Sequence, residues 1–327
     1  MSDSNTSETL LNPFMLDELK QVHSGMMNHW FQSLSQFFTL SDIAWRGMTR
    51  QQTDTLSLYF DGLQKQLRKS LSAASEGKNS ATTGVAVITG GVGGIGTDIC
   101  TRLAGEGNKI ISTFIAAERD TALAWQRDRR KEGYDIDLVE CDVTDFDACK
   151  RTAADIEEKY GAVDVLVNCA GITRDAVFTK MEASNWHAVL DTNLDSVFNV
   201  TRGFVNGMME RNYGRIINIS SVNGQKGQFG QTNYSAAKAG MIGFTRSLAL
   251  ELVNYGITVN CVCPGYVHTS MVEKIREDIR DAIISQIPMG RLAKTSEIAA
   301  AVAFLADRES AYITGAEIAV NGALWLG

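Results

Sequence analysis

The sequence predicts an α/β protein, a doubly wound parallel sheet preceded by a helical extension. Three observations carry this expectation. After Gly84, short apolar runs alternate with longer helical patterns; the first run leads directly into a glycine-rich turn; and residues 1–80 follow a different periodicity. Composition places the chain among ordinary globular proteins. Of its 327 residues 44% are hydrophobic and 21% charged, and mean hydropathy is −0.08. Thirty-one basic against 38 acidic side chains give a net charge of −7, which argues against a general nucleic-acid binder. No run approaches the roughly 18 to 20 apolar residues of a membrane span. The opening MSDSNTSETL lacks the basic-then-apolar order of a secretory signal. A cytoplasmic address is expected. The six cysteines, at 100, 141, 149, 169, 261 and 263, form no CxxC pair, so they are expected to be reduced thiols, with no disulfide framework and no metal.

In residues 1–80, Leu16, Leu19, Met26, Met27, Trp30, Phe31, Leu34, Phe37 and Phe38 recur at three- and four-residue steps. Leu56, Tyr59, Phe60, Leu63, Leu67 and Leu71 do the same. Thr39-Leu40-Ser41-Asp42 supplies capping side chains between the two runs, so a helical hairpin is expected. Ser70 to Gly84, small and polar, reads as a linker. The chain is therefore divided into an amphipathic extension with its linker, 1–80, and an α/β domain, 81–327.

Within that domain the apolar runs Val85–Ile88, Ile110-Ile111, Val163–Val167, Arg215–Ile219 and Thr258–Val262 are separated by helical stretches. Parallel pairing requires such crossovers. Thr89-Gly90-Gly91-Val92-Gly93-Gly94-Ile95-Gly96 follows the first strand and opens a helix. Gly90, Gly94, Ile95 and Gly96 there suit a dinucleotide pyrophosphate, since the backbone can approach closely and a helix N-terminus supplies N–H donors. At the tip of the second strand the run Ser112-Thr113-Phe114-Ile115-Ala116-Ala117-Glu118-Arg119 has no aspartate for a ribose diol. NADP(H) is expected, with Arg119 on the 2′-phosphate, although Glu118 beside it could serve a ribose. Asp142 and Val143, after the third strand, are placed at the adenine edge.

Tyr234 and Lys238 stand four apart in a helical stretch and share a face, and Ser221 lies thirteen residues before Tyr234 at the end of the strand RIINIS. A phenol is a poor acid at neutral pH until its anion is stabilised. A neighbouring ammonium and an oxidised nicotinamide can do this, and a serine can hold a carbonyl oxygen as charge develops there.

With TGGVGGIG at 89–96, NCAG at 168–171, Asn193 in DTNLDSVFNV, Ser221, YSAAK at 234–238 and PGYVHT at 264–269, the stretch from about Val85 to Gly327 resembles the short-chain dehydrogenase/reductase family of Rossmann-fold oxidoreductases. The resemblance implies Tyr234 as general acid in carbonyl reduction and Lys238 on the nicotinamide ribose, depressing the tyrosine pKa. It implies Ser221 orienting the carbonyl, Asn193 supporting a water-linked proton relay and Thr269 at the carboxamide. Asn168, Ala170, Gly171 and Ile172 would line the cofactor, although Cys169 replaces the usual asparagine. Asn321-Gly322-Ala323 also departs from the family, which often has a second glycine there, a change expected to bear on a subunit contact. A homotetramer is implied.

Within the family GITRD at 171–175, SSVNGQKGQFGQTNYSAAKAG at 220–240 and IPMGRLAKTSEIA at 287–299 resemble the acetoacetyl-CoA reductases of polyhydroxybutyrate synthesis. That resemblance implies NADPH-dependent reduction of acetoacetyl-CoA to (R)-3-hydroxybutyryl-CoA. Asp175, Gln228, Phe229, Gly230, Gln231, Gly265 and Tyr266 would line the acyl-CoA pocket. Phe229 and Tyr266 offer apolar walls and the glutamines offer amide hydrogen bonds. The alternative reading is a 3-oxoacyl-[acyl carrier protein] reductase, which shares GITRD and the tetrad but usually has Gly-Asn where this chain has Gln228-Phe229. Arg174, Lys226, Lys274 and Arg276 could serve either partner. A third reading, of another class, is a dinucleotide-sensing or granule-associated structural protein. A helical lid is expected over 270–287, with Met271, Ile275 and Ile279 on its inner face. The extension is expected to pack, self-associate or lie on a hydrophobic surface, the last being a faint likeness to phasin-type helices and hence to polymer granules.

Overall fold

A strand buried on both sides must present apolar side chains at every position, because successive residues point to opposite faces. In the computed structural model, which describes residues 84–269, 272 and 276–327, β1 (Val85–Thr89) meets this condition. Val85 and Val87 enter one core and Ala86 and Ile88 the other. The remaining elements follow as α1 (Gly94–Gly105), β2 (Lys109–Phe114), α2 (Arg119–Lys131), β3 (Ile136–Glu140), α3 (Phe146–Tyr160), β4 (Val163–Asn168), α4 (Ala183–Leu190) and α5 (Ser196–Arg211). After them come β5 (Gly214–Ile219), α6 (Val222–Lys226), α7 (Thr232–Leu252), β6 (Ile257–Pro264), α8 (Glu277–Ser285), α9 (Thr295–Ala306) and β7 (Glu317–Val320).

The strands form one parallel sheet in the order β3-β2-β1-β4-β5-β6-β7. The order reverses between β1 and β4, which is where open sheets of this kind leave a crevice beyond their carboxyl ends. One face packs on α3, α5 and α7 through Ile156, Phe204, Met208 and Leu252; the other packs on α1 and α9 through Ile99, Leu103, Val302 and Leu305. The doubly wound sheet expected from the sequence is thus the observed fold. All five apolar runs lie within strands. The edge strands β3 and β7 had no comparable run, because they are only partly covered and tolerate polar residues.

Some expectations lie outside the described residues: the hairpin of residues 1–80, the linker up to residue 83, and Met271, Lys274 and Ile275 of the lid. Gly84, assigned to the linker, is buried and accepts the Lys109 N–H at 2.9 Å, so it belongs to the sheet. A helix does occur in the lid segment, α8, but Ile279 is 44% exposed and forms no inner face in this structure. All six cysteines are free thiols, as expected, and five are buried. Among the described residues no helix is long and apolar enough to cross a membrane, and no His, Cys, Asp and Glu side chains are grouped to hold a metal.

A buried polar relay crosses the middle of the sheet. Asn168 and Asn218 are register partners on β4 and β5. The Asn168 amide donates to Asn218 at 2.8 Å and to Thr201 of α5 at 3.1 Å, while the Asn218 amide donates to Thr245 of α7 at 2.9 Å. Four elements are thereby tied at the level where the crevice begins.

The Asn321-Gly322-Ala323 departure has a backbone consequence. Gly322 has φ 61° and Ala323 φ 67°, the left-handed region where a Cβ meets the carbonyl oxygen. Ala323→Gly is therefore expected to raise the unfolding free energy by about 0.5–1 kcal/mol, relief of strain exceeding the added entropy of the unfolded chain. Urea unfolding checks this, and an unchanged or lower midpoint rejects the strain.

Candidate active site

The glycine-rich turn is shaped by close backbone approach. A Cβ at Gly96 would lie 2.3 Å from the Gly90 carbonyl oxygen, and one at Gly90, itself at φ 65°, would lie 2.9 Å from Ala170 Cα. The first turn of α1 has Gly93 as its N-cap with no side-chain cap, so its orphan N–H groups face the crevice end of the sheet. Thr269, beyond β6, reaches the same turn: a Cβ at Gly94 would meet its methyl at 3.1 Å. Such a cradle fits an anion held by main-chain donors, with no side chain to crowd it.

The loop after β4 is anchored by a group the sequence reading passed over. Thr89 Oγ1 accepts the N–H groups of Cys169 and Ala170 at 3.0 and 3.1 Å. The Asn168 amide nitrogen is committed to the relay, whereas its buried side-chain oxygen has no partner. Asn193 is fully buried in a five-residue π-turn, Asp191–Asp195, between α4 and α5. Such bulges often re-aim a functional side chain. Here its oxygen accepts the Ile172 N–H at 2.7 Å and its amide donates to the Ile172 carbonyl at 2.8 Å, which fixes the Gly171-Ile172 loop.

Lys238 is 4% exposed, donates to the Ile219 carbonyl at 2.7 Å and lies 5.8 Å above the Tyr234 ring centroid. A Cβ at Gly171 would be 3.1 Å from Asn193 Oδ1 and 3.7 Å from Lys238 Nζ, so the glycine occupies the narrow space between them. Ser221 caps α6, its oxygen accepting the Asn223 N–H at 3.1 Å, which leaves its own proton to donate elsewhere. The four residues singled out as catalytic therefore converge at the carboxyl ends of β4 and β5.

In the chain by itself burial pushes Tyr234 up to about 12, opposed by the hydrogen bond of Ser221 and reinforced by the charge of Asp175. Burial also brings Lys238 down to about 8. Desolvation dominates because a low-dielectric site disfavours phenolate and ammonium alike.

The residues expected around the substrate form a hydrogen-bonded rim. The Gln231 amide donates to Asp175 at 2.8 Å and its oxygen accepts from Asn223 at 2.9 Å, while the Ala176 N–H donates to the Gly230 carbonyl at 2.9 Å. Burial and the charge of Asp175 raise the Tyr266 pKa. A Cβ at Gly265 would touch Asn321 Cα at 2.8 Å, so this glycine serves a close backbone approach. Lys226 donates to the Gln228 side-chain oxygen at 3.1 Å. Phe229, expected as an apolar wall, is 86% exposed, because it lies in the short turn between Gly227 and Gly230, both at positive φ. At the other end of the crevice Asp142 accepts the Thr144 N–H and hydroxyl at 2.9 and 2.8 Å, and Val143 is buried. Arg119, expected to be available to a phosphate, is ion-paired with Glu140.

Asn233 was missed altogether. It is fully buried, its oxygen accepts the Tyr234 N–H at 2.8 Å, and its amide donates to the carbonyls of Arg174 and Asn185 at 2.9 and 3.3 Å. It fastens the start of α7 to the loop carrying Asp175, and an isolated asparagine before a tyrosine carries no periodic or spacing signal. Asn233→Ala is expected to cost about 1–3 kcal/mol in unfolding and to speed amide exchange at Tyr234, since buried groups lose their partners. Unchanged exchange at that amide would show that Asn233 does not hold the helix start.

The family model for short chain dehydrogenase matches residues 84–280. An acetoacetyl-CoA reductase of Allochromatium vinosum is 55% identical over 242 residues, 74% of this chain and 98% of that protein. An acetoacetyl-CoA reductase of Cupriavidus necator is 49% identical over 246 residues, 75% of this chain and the whole of its own length. A 3-oxoacyl-[acyl-carrier-protein] reductase of Escherichia coli is 42% identical over 242 residues, 74% of this chain and 97% of that protein. By its sheet, its crevice and these relatives, the chain belongs to the short-chain dehydrogenase family of oxidoreductases.

Proposed function

We propose that this chain reduces acetoacetyl-CoA to (R)-3-hydroxybutyryl-CoA with NADPH, supplying polyhydroxybutyrate synthesis. The observation that carries the reading is the convergence of Ser221, Tyr234, Lys238 and Asn193 in a chain whose relatives at 49% and 55% identity are named acetoacetyl-CoA reductases. A cytoplasmic homotetramer, the division of the chain near residue 80, and contact of residues 1–80 with polymer granules belong to the same proposal. The second reading, a 3-oxoacyl-[acyl carrier protein] reductase, is supported by relatives so named at 40% and 42% identity. It is disfavoured by Gln228-Phe229.

The cofactor's fit rests on the glycine cradle. Gly90, Gly94, Ile95 and Gly96 would hold its pyrophosphate, Asp142 and Val143 its adenine edge, and Arg119 its 2′-phosphate. Asn168, Ala170, Gly171, Ile172 and Thr269 would lie along the nicotinamide half. When bound, the dihydronicotinamide supplies the hydride for the 3-oxo carbon. Tyr234 gives its phenolic proton to the carbonyl oxygen, Ser221 donates a hydrogen bond to that oxygen as charge develops, and the Lys238 ammonium stabilises the phenolate left behind. A tyrosine near 12 holds its proton firmly, so the nearby positive charge is what makes the donation feasible at neutral pH. Asp175, Gln228, Phe229, Gly230, Gln231, Gly265 and Tyr266 line the acyl-thioester side.

Steady-state oxidation of NADPH with acetoacetyl-CoA, against acetoacetyl-carrier protein and with NADH in parallel, tests the reading. A higher kcat/KM for the CoA thioester is expected, and preference for the carrier protein overturns it. Tyr234→Phe is expected to lower kcat by about 10² to 10⁴, and a change of only a few-fold would remove Tyr234 from the chemistry. Since Lys238 acts as a cation and titrates near 8, kcat/KM for NADPH is expected to fall as pH rises above about 8. Lys238→Arg, which stays charged, should lose that limb whatever its plateau; a limb that persists in the variant assigns it to another group.

A further inference from the structure

We propose that Glu140 limits how strongly this chain discriminates NADPH from NADH, by occupying the guanidinium of Arg119. The inference rests on the reading that Arg119 meets the 2′-phosphate, and it assigns a specificity role to a residue outside that set.

The geometry follows from strand register. Phe114 and Glu140 are partners at the carboxyl ends of β2 and β3, and the ladder closes with the Cys141 N–H donating to the Phe114 carbonyl at 2.9 Å. From Phe114 the chain makes one 3₁₀ turn, Ala116–Glu118, and α2 begins at Arg119. The side chain at the start of α2 thus returns to the end of β3, where it pairs with Glu140; the two side chains are 61% and 38% exposed. Glu140 stands two residues before Asp142, on the strand end assigned to the adenine.

Charge decides the consequence. Arg119 is the one cation in the run from Ser112 to Asp120, flanked in sequence by Glu118 and Asp120 and paired across strands with Glu140. A 2′-phosphate approaching Arg119 must share the guanidinium with the Glu140 carboxylate, which holds its Nη2, and then remain beside that carboxylate. Both the weakened pair and the like-charge contact oppose NADPH, whereas NADH, with a neutral 2′-hydroxyl, meets neither. An exposed ion pair is weak and exchanges partners readily, so the effect is a moderated preference and not a block.

Calorimetric titration of the full chain with NADP⁺, NAD⁺ and adenosine 2′,5′-bisphosphate tests this. Glu140→Gln, nearly isosteric and on the surface, is expected to tighten the two 2′-phosphorylated ligands about three- to fivefold, with NAD⁺ changed less than about twofold. The gain should shrink at high salt, where exposed charges are screened. It should also vanish in the Arg119→Ala background. Unchanged or weaker NADP⁺ affinity in Glu140→Gln, or the same gain without Arg119, overturns the role given to Glu140. The NADPH reading is judged separately: Arg119→Ala alone should weaken NADP⁺ relative to NAD⁺. If that ratio does not move, Arg119 is not the phosphate partner, and the inference about Glu140 falls with it.

Discussion

The amide relay through Asn168 and Asn218 is the constraint on which the rest of the site depends. Two asparagines facing each other in the interior of a parallel sheet are costly unless their groups are paired; here both amide nitrogens and the Asn218 oxygen are paired, to each other and to threonines on flanking helices, and the Asn168 oxygen alone is left without a partner. A slip of one residue between β4 and β5 would turn the amides away from each other and break the pairing. The register so fixed sets the height of everything beyond it. Asn168 leads into the loop that Asn193 holds, Asn218 leads to Ser221, and Thr245 ties in the helix that carries Tyr234 and Lys238.

Around that frame the site is assembled from main-chain hydrogen bonds as much as from side chains. Lys238 is aimed by the Ile219 carbonyl, Ser221 by the Asn223 N–H, the Gly171-Ile172 loop by Asn193, and the loop of Asp175 by Asn233. Ile219, Asn223 and Asn233 sit at a strand end or a helix start and Asn193 in the π-turn between α4 and α5, so each of these groups is tied to regular structure. Holding them this way also dries them. The buried ammonium and the half-buried phenol are both pushed toward their neutral forms, and a neutral phenol is the form that can donate a proton.

The crevice rim around Gln231 obeys a different rule. Gln231 is fastened on both sides, to Asp175 and to Asn223, whereas Phe229 is free at the tip of a glycine-bounded turn. Polar groups at the crevice wall are thus preset, while the apolar group at its mouth stays exposed. The pair of Arg119 and Glu140 is open in the same sense, since the two meet near solvent, where charge pairs exchange at little cost.

Much of this was legible in the sequence. The alternation of apolar runs with helical patterns specified the doubly wound sheet, because burying a strand on both faces leaves an unmistakable run. The edge strands β3 and β7 were fainter, because half-covered strands keep polar residues. The glycine turn and the Ser221, Tyr234, Lys238 spacing were visible because their geometry is local: one turn of helix, or the end of one strand. What the sequence could not specify was every partnership between distant segments. Thr89 with the loop after β4, Asn168 with Asn218, Asn233 with Arg174, and Glu140 with Arg119 each join residues 21 to 81 positions apart. The direction of the Tyr234 shift belongs to the same class, since it is set by how completely water is excluded. The sequence by itself determined the periodic and local features, which depend on neighbours a few residues away; only the tertiary structure decided which polar groups meet and how dry they are, because those depend on packing that no window of the chain contains.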